Sequence, residues 1–71
     1  MPVDIRIRFG RAARRLREEQ EINQEEAADR CGLHGKYYSG IERGVRNVSF
    51  VNIEKVAKWL KTSLPDLFRR A

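Results

Sequence analysis

Five side chains that donate hydrogen bonds, Lys36, Tyr37, Ser39, Arg43 and Arg46, fall within eleven consecutive residues. The overlapping stretch "RCGLHGKYYSGIERG", residues 30–44, holds four of the chain's five glycines: Gly32, Gly35, Gly40 and Gly44. Ammonium, guanidinium, phenol and hydroxyl groups donate to phosphate oxygens and to the acceptor edges of bases. They provide no nucleophile with an adjacent base, and no phosphate-cradling loop accompanies them, so an enzyme is not expected. One histidine and one cysteine cannot close a four-ligand metal site. No metal and no cofactor are therefore expected. His34 reads as a turn residue, with a nearby phosphate as its functional alternative, and Cys31 as a packing residue rather than a redox group. A donor-rich surface of this kind suits recognition of a polyanion, with an ordinary solvated face as the alternative.

A helix would place these donors together. At 100° per residue, Tyr38, Ile41 and, less centrally, His34 and Glu42 point one way, while Lys36, Ser39, Gly40 and Arg43 point the other and Tyr37 lies on the flank. Glycine inside a helix costs roughly 1 kcal/mol relative to alanine, so four in one short segment need reasons. Gly32 and Gly44 are placed to end helices as left-handed residues. Gly35 and Gly40 are expected to clear side chains from a surface that something must approach. The competing reading of Gly40 is tight packing against another helix of the same chain.

The remaining elements follow from periodicity and capping. Val3, Ile5, Ile7 and Phe9 alternate with charged residues, which is strand spacing, yet Phe9, Ala12, Ala13 and Leu16 form a helical face. The first segment is thus either an extended arm over residues 1–8 or part of a first helix from about residue 5 or 8 to 20. Asn23 with Glu26 makes a capping-box-like start to a second helix that stops at Gly32. A third runs from about Gly35 to Arg43. Ser49 caps a fourth, whose Phe50, Ile53, Val56, Ala57 and Leu60 share a face. Ser63 and Pro65 open a short fifth. The expected architecture is all-α, five short helices in a single domain over 1–71, with a helix-turn-helix core at about 24–43.

Seventy-one residues lie near the lower limit for a core that holds without staples. The single cysteine and the lack of a signal-peptide pattern suit a reducing cytoplasm. No apolar run nears the ~20 residues needed to cross a bilayer, so no membrane partner is expected. The formal net charge is +5. Residues 1–20 carry +3, six arginines against Asp4, Glu18 and Glu19, whereas residues 21–47 carry −1, four cations against five acids. Bulk charge allows a nucleic-acid partner without requiring one.

The segment "INQEEAADRCGLHGKYYSGIERGVRNVSFVNIEKVAKWLKTSLPDLF" resembles the Xre/Cro-type helix-turn-helix domain of phage repressors and bacterial regulators. Gln24, Ala28, Gly32, Ile41, Glu42, Arg43 and Gly44 carry the pattern, Leu16-Arg17 matches the end of the first helix, and the likeness covers about residues 9–68. Within that family "LHGKYYSGIERGVRNVS" is most similar to the controller proteins of restriction–modification systems, although Gly35 and Lys36 stand where that group has Arg and Thr. Those are base-reading positions, so an operator sequence does not carry over. The resemblance implies a lambda-repressor-like fold and a dimeric, sequence-specific DNA-binding regulator. It places Gln24 beside a phosphate at the start of helix two, where helix N-termini attract anions. Lys36, Tyr37, Ser39, Arg43, Arg46 and His34 become expected DNA contacts, each weighed against an ordinary solvated or packed side chain.

The same resemblance supplies Arg17 as the partner that a carboxylate near the buried face, Glu42, requires. Val51 and Trp59 point away from the main face of helix four, which suggests a second buried surface, covered either by the last helix or by a two-fold partner. Helix-turn-helix proteins commonly bind paired half-sites as dimers. A homodimer through Val51, Trp59, Leu64 and Leu67 on inverted-repeat duplex DNA is expected, with no small-molecule effector. A phage-type repressor, an antitoxin of the same fold and a protein-binding helical adaptor are the alternatives. Glu21 and Lys61 stand where the family usually ends helices with glycine: either those turns differ or the domain is weakened there.

Overall fold

The computed structural model describes residues 4–59 and residue 69. Four helices occur among them: α1 (Ile5–Glu19), α2 (Gln24–Cys31), α3 (Gly35–Arg43) and α4 (Phe50–Trp59). The expected fifth helix, with Leu64 and Leu67, lies outside the described residues, as do Leu60 and Lys61.

Helix α1 begins at Ile5 because Asp4 caps it. The Asp4 carboxylate accepts from the Arg6 backbone N–H at 2.8 Å and pairs with the Arg6 guanidinium at 3.0 Å. Strand-like spacing at residues 5–9 is thereby overridden. Ile5 is half-exposed, and Phe9 joins Ala12, Ala13 and Leu16 on the buried face. Helix α2 starts as expected, with the Asn23 side chain accepting from Glu26 N–H at 2.8 Å, and closes on left-handed Gly32 at φ 69°. Helix α3 starts at the His34 cap, whose Nδ1 accepts from Lys36 N–H at 3.2 Å, and closes on Gly44 at φ 76°. The α1–α2 turn has no glycine. Glu21 takes a left-handed φ of 56° in its place, a conformation that costs a residue with a Cβ ~1–2 kcal/mol.

Small residues let these short helices pack closely. Ala12, Ala13, Ala27, Ala28 and Ala57 are all buried, and Tyr38, Ile41 and Val56 are the largest fully buried side chains. Helix α1 lies on α3, α3 on α2, and α2 on α4. The α1–α3 crossing depends on two bare positions. A Cβ on Gly10 would collide with the backbone carbonyls of Ile41 and Glu42, and one on Gly44 would lie 2.7 Å from the Cα of Ile7. Gly44 thus ends α3 and also admits α1.

On α4 the expected face is only partly realised. Val56 and Ala57 are buried and Ile53 packs against the core, but Phe50 is 90% exposed. Phe50 is the first residue of α4, just past the Ser49 cap, where the chain has not yet come over the core. It is a solvent-facing aromatic rather than a core residue. With Val51, Val45 and Ile5 it belongs to the exposed large apolar residues.

Candidate nucleic-acid interface

Helix α3 is fixed by its inner side. Tyr38 and Ile41 are buried in the core, and Glu42 is buried beside them. The Glu42 carboxylate receives a two-pronged contact from Arg17, Nε to Oε2 at 2.7 Å and Nη2 to Oε1 at 3.1 Å. Arg17 also donates to the Ile22 carbonyl at 2.8 Å, and Gln24 Nε2 donates to Glu42 Oε1 at 2.9 Å. One carboxylate therefore ties α1, the α1–α2 turn and the start of α2 to α3. Burial pushes the Glu42 carboxyl up, but the hydrogen bonds from Arg17 and Gln24 outweigh it and hold the group below its ordinary value. Burial first, and then the neighbouring Glu42 carboxylate, hold the Tyr38 hydroxyl protonated. Burial also raises the Cys31 thiol to about 11, which leaves it unreactive near neutral pH.

The outer side carries the donors. Lys36 and Arg43 are exposed, Ser39 is partly exposed, and all three lie on the side of α3 opposite Tyr38. Gly35, exposed at the first turn, has nothing within 4 Å of where a Cβ would stand. His34 is exposed next to it. Tyr37 is partly buried on the flank, and its hydroxyl accepts from Asn52 Nδ2 at 3.1 Å.

Two placements correct the sequence reading. Gly40 faces outward, but the space over it is filled: the stem of Arg46 folds back across it, with Cγ 2.8 Å and Nε 3.0 Å from the position of a Cβ. Neither an open backbone patch nor a second helix accounts for this glycine. The Arg46 guanidinium then stands over the Tyr37 ring, 5.6 Å from its centroid. Trp59, expected to point away from the main face of α4, packs partly buried against the core, with Arg30 of α2 over its ring at 5.4 Å. Gln24 differs from expectation in a subtler way. One hydrogen of its side-chain amide is committed to Glu42, and exposed Glu25 and Glu26 follow it in the first turn of α2.

Asn52 was not singled out by its sequence context, since an Asn three residues past a serine cap has no local signature. Gly10 was hidden for the same reason, because only the α1–α3 crossing gives it a task.

A sequence profile of the helix-turn-helix family matches residues 14–67. The chain belongs to that family. Within it, the control protein C.MunI from a Mycoplasma species is 47% identical over 66 residues, which span 92% of this chain and 89% of that one. The crystal structure of the restriction–modification controller protein C.AhdI from Aeromonas hydrophila superposes with a TM-score of 0.83 at 42% identity, covering 87% of this chain and 94% of the other. A chain from the structure of the controller protein C.Esp1396I tetramer in complex with its natural 35 base-pair operator superposes with a TM-score of 0.84 at 28% identity, covering 96% of this chain and 90% of the other. These likenesses put the chain among the controller proteins of the helix-turn-helix family. Among the described residues, no helix is long and apolar enough to cross a membrane.

Proposed function

We propose that this controller-type chain regulates transcription by binding, as a homodimer, an operator with inverted repeats in a restriction–modification operon. Helix α3 is the element that enters the major groove, which is wide enough for one helix. The observation that carries this reading is the division of α3 into an inner side locked by Tyr38, Ile41 and Glu42 and an outer side of exposed donors. Lys36 and Ser39 are assigned to base edges or adjacent phosphates, and Arg43 and Arg46 to groove or backbone. Tyr37 contributes its ring edge and His34 a contact at the start of α3. Gln24 points its remaining amide hydrogen toward a phosphate while Glu42 orients it. Gly35 lets the first turn of α3 approach closely.

A single α3 offers few base contacts, which favours a doubled protomer. The exposed Phe50 and Val51 at the start of α4 supply apolar surface for that contact. Leu64, Leu67 and Trp59 belong to the proposed interface from sequence alone. Such a regulator acts in the cytoplasm and performs no catalysis.

The test is equilibrium binding to the duplex upstream of the chain's own gene across a salt series. The reading expects the affinity for that duplex to exceed the affinity for a scrambled one by ~10³-fold or more. It also expects the logarithm of affinity to fall linearly with log salt, with a slope near −0.9 per phosphate neutralised. Equal, weak affinity for both duplexes would favour the protein-binding adaptor instead.

A further inference from the structure

Gly40 and Arg46 fit each other. A helical glycine on an outward face ordinarily leaves a notch open to solvent, yet Gly40 is buried, and a side chain six residues later in the chain buries it. The chain leaves α3 at Gly44, and the Val45 N–H donates back to the Gly40 carbonyl at 3.1 Å. That reversal aims Arg46 back along the helix. Its stem crosses Gly40 and its guanidinium reaches the Tyr37 ring, one turn nearer the start of α3. The ring is itself held at its hydroxyl, to which Asn52 of α4 donates. Four residues from three segments, α3, the following loop and α4, thus form one connected unit.

We propose that Gly40 and Asn52 are positioning residues for DNA readout: Gly40 seats the stem of Arg46, and Asn52 braces the Tyr37 ring on which the guanidinium rests. Arginine has many rotamers, and ordering them at the moment of binding weakens affinity. An arginine already laid along α3 avoids much of that loss and presents its donors in a defined direction. Gly40 therefore acts through Arg46 rather than by letting the helix backbone approach DNA. The inference rests on the DNA-binding reading above, and its experiment separates the two.

The full-length chain and the variants Gly40→Ala, Arg46→Ala, the double variant and Asn52→Ala are titrated against the labelled upstream duplex. The melting temperature of each is recorded. Alanine is the better helix former and Arg46 is a flexible, exposed side chain, so Gly40→Ala is expected to melt no lower than wild type. Its affinity should nonetheless fall about threefold to tenfold. In the Arg46→Ala background the same change should cost nothing more, since the side chain it displaces is gone. Asn52→Ala should weaken binding by about twofold to threefold and leave the α4 cap intact, because the Ser49 hydroxyl accepts from the backbone N–H of residue 52. A second readout needs no DNA: side-chain protons of Arg46 should carry an upfield ring-current shift from Tyr37 that Gly40→Ala removes.

Unchanged affinity in Gly40→Ala, or losses that multiply in the double variant, would overturn the seat. So would the absence of the ring-current shift in wild type. Unchanged affinity in Asn52→Ala would overturn the brace. If wild type prefers no duplex, or Arg46→Ala binds as tightly as wild type, the DNA-readout role falls too, and the ring-current shift would then report only a structural stack.

Discussion

The two sides of α3 are made from adjacent residues and obey different rules. On the inner side, Tyr38, Ile41 and Glu42 are buried, and Glu42 alone receives three hydrogen bonds, from Arg17 and Gln24. On the outer side, Lys36 and Arg43 are exposed, and Arg46 is laid over the surface without entering the core. A charge on the inner side is a structural commitment, because removing its partner strands it away from water. A charge on the outer side is available to a ligand. The same helix thus separates what holds the fold from what is proposed to meet DNA, and the separation can be tested residue by residue.

The largest effect should come from the inner side. Glu42→Ala leaves the Arg17 guanidinium largely buried without its carboxylate, a loss on the order of 3–5 kcal/mol, which is much of a small domain's stability. Urea unfolding would measure it, and a melting temperature equal to wild type would contradict the role given to this pair. Gly10→Ala comes next. The new methyl would press on the carbonyls of Ile41 and Glu42, which are backbone and cannot rotate aside. A destabilisation of about 1–3 kcal/mol is expected, again by urea unfolding.

The outer side should reverse the pattern. Lys36→Ala should leave the melting temperature within about a degree or two, as exposed substitutions do. Affinity for the duplex should nevertheless drop by ~1–3 kcal/mol if the lysine meets a base edge. If it meets a phosphate, the drop is uniform across sequences and the salt slope is shallower by about one. An outer-side variant that melts early and still binds normally would contradict the division.

Acid sharpens it further. The Glu42 carboxyl titrates below its ordinary value of 4.5 in the folded chain. Its contribution is therefore fully present above that pH and is lost as the pH falls through the folded value. Relative to Glu42→Gln, wild type should lose stability below about pH 4.5 and gain none on raising the pH from 6 to 8. Thermal melts of both proteins across pH 2–8 would show it. The smallest effect is expected in the α1–α2 turn. Glu21→Gly removes the strain of a left-handed residue bearing a Cβ but adds freedom to the unfolded chain, for a net gain of about 0.5–1 kcal/mol.

Which of these features could be read from the sequence depends on how far apart the interacting residues lie. The approximate bounds of α2 and α3 were legible, because their signals are local: Asn23 and Glu26 at one start, Gly32 and Gly44 at the ends. The inner face of α3 followed from spacing alone. Glu42 announced a need for a partner, and Arg17, 25 residues earlier, came from a family pattern rather than from the residues themselves. The start of α1 was ambiguous because Ile5, Ile7 and Phe9 satisfy two periodicities, and only the Asp4 cap decides between them. Gly10, Gly40 and Asn52 were illegible in their actual roles. Each is defined by what another segment places against it, and a glycine has no side chain to show which neighbour it serves. Phe50 misled for the opposite reason: its helical register was right, but as the first residue of α4 it stands 90% exposed.

The outward side of α3 is proposed to meet the duplex while the inward side stays put. This is tested most directly by following the backbone and side-chain NMR signals of the full-length chain as the upstream duplex is added. The largest changes are expected at Lys36, Ser39, Arg43 and Arg46, with the Tyr38 ring, Ile41 methyls and Glu42 carboxylate nearly unmoved. Changes confined to α1 and α4, with Lys36 and Arg43 silent, would contradict it.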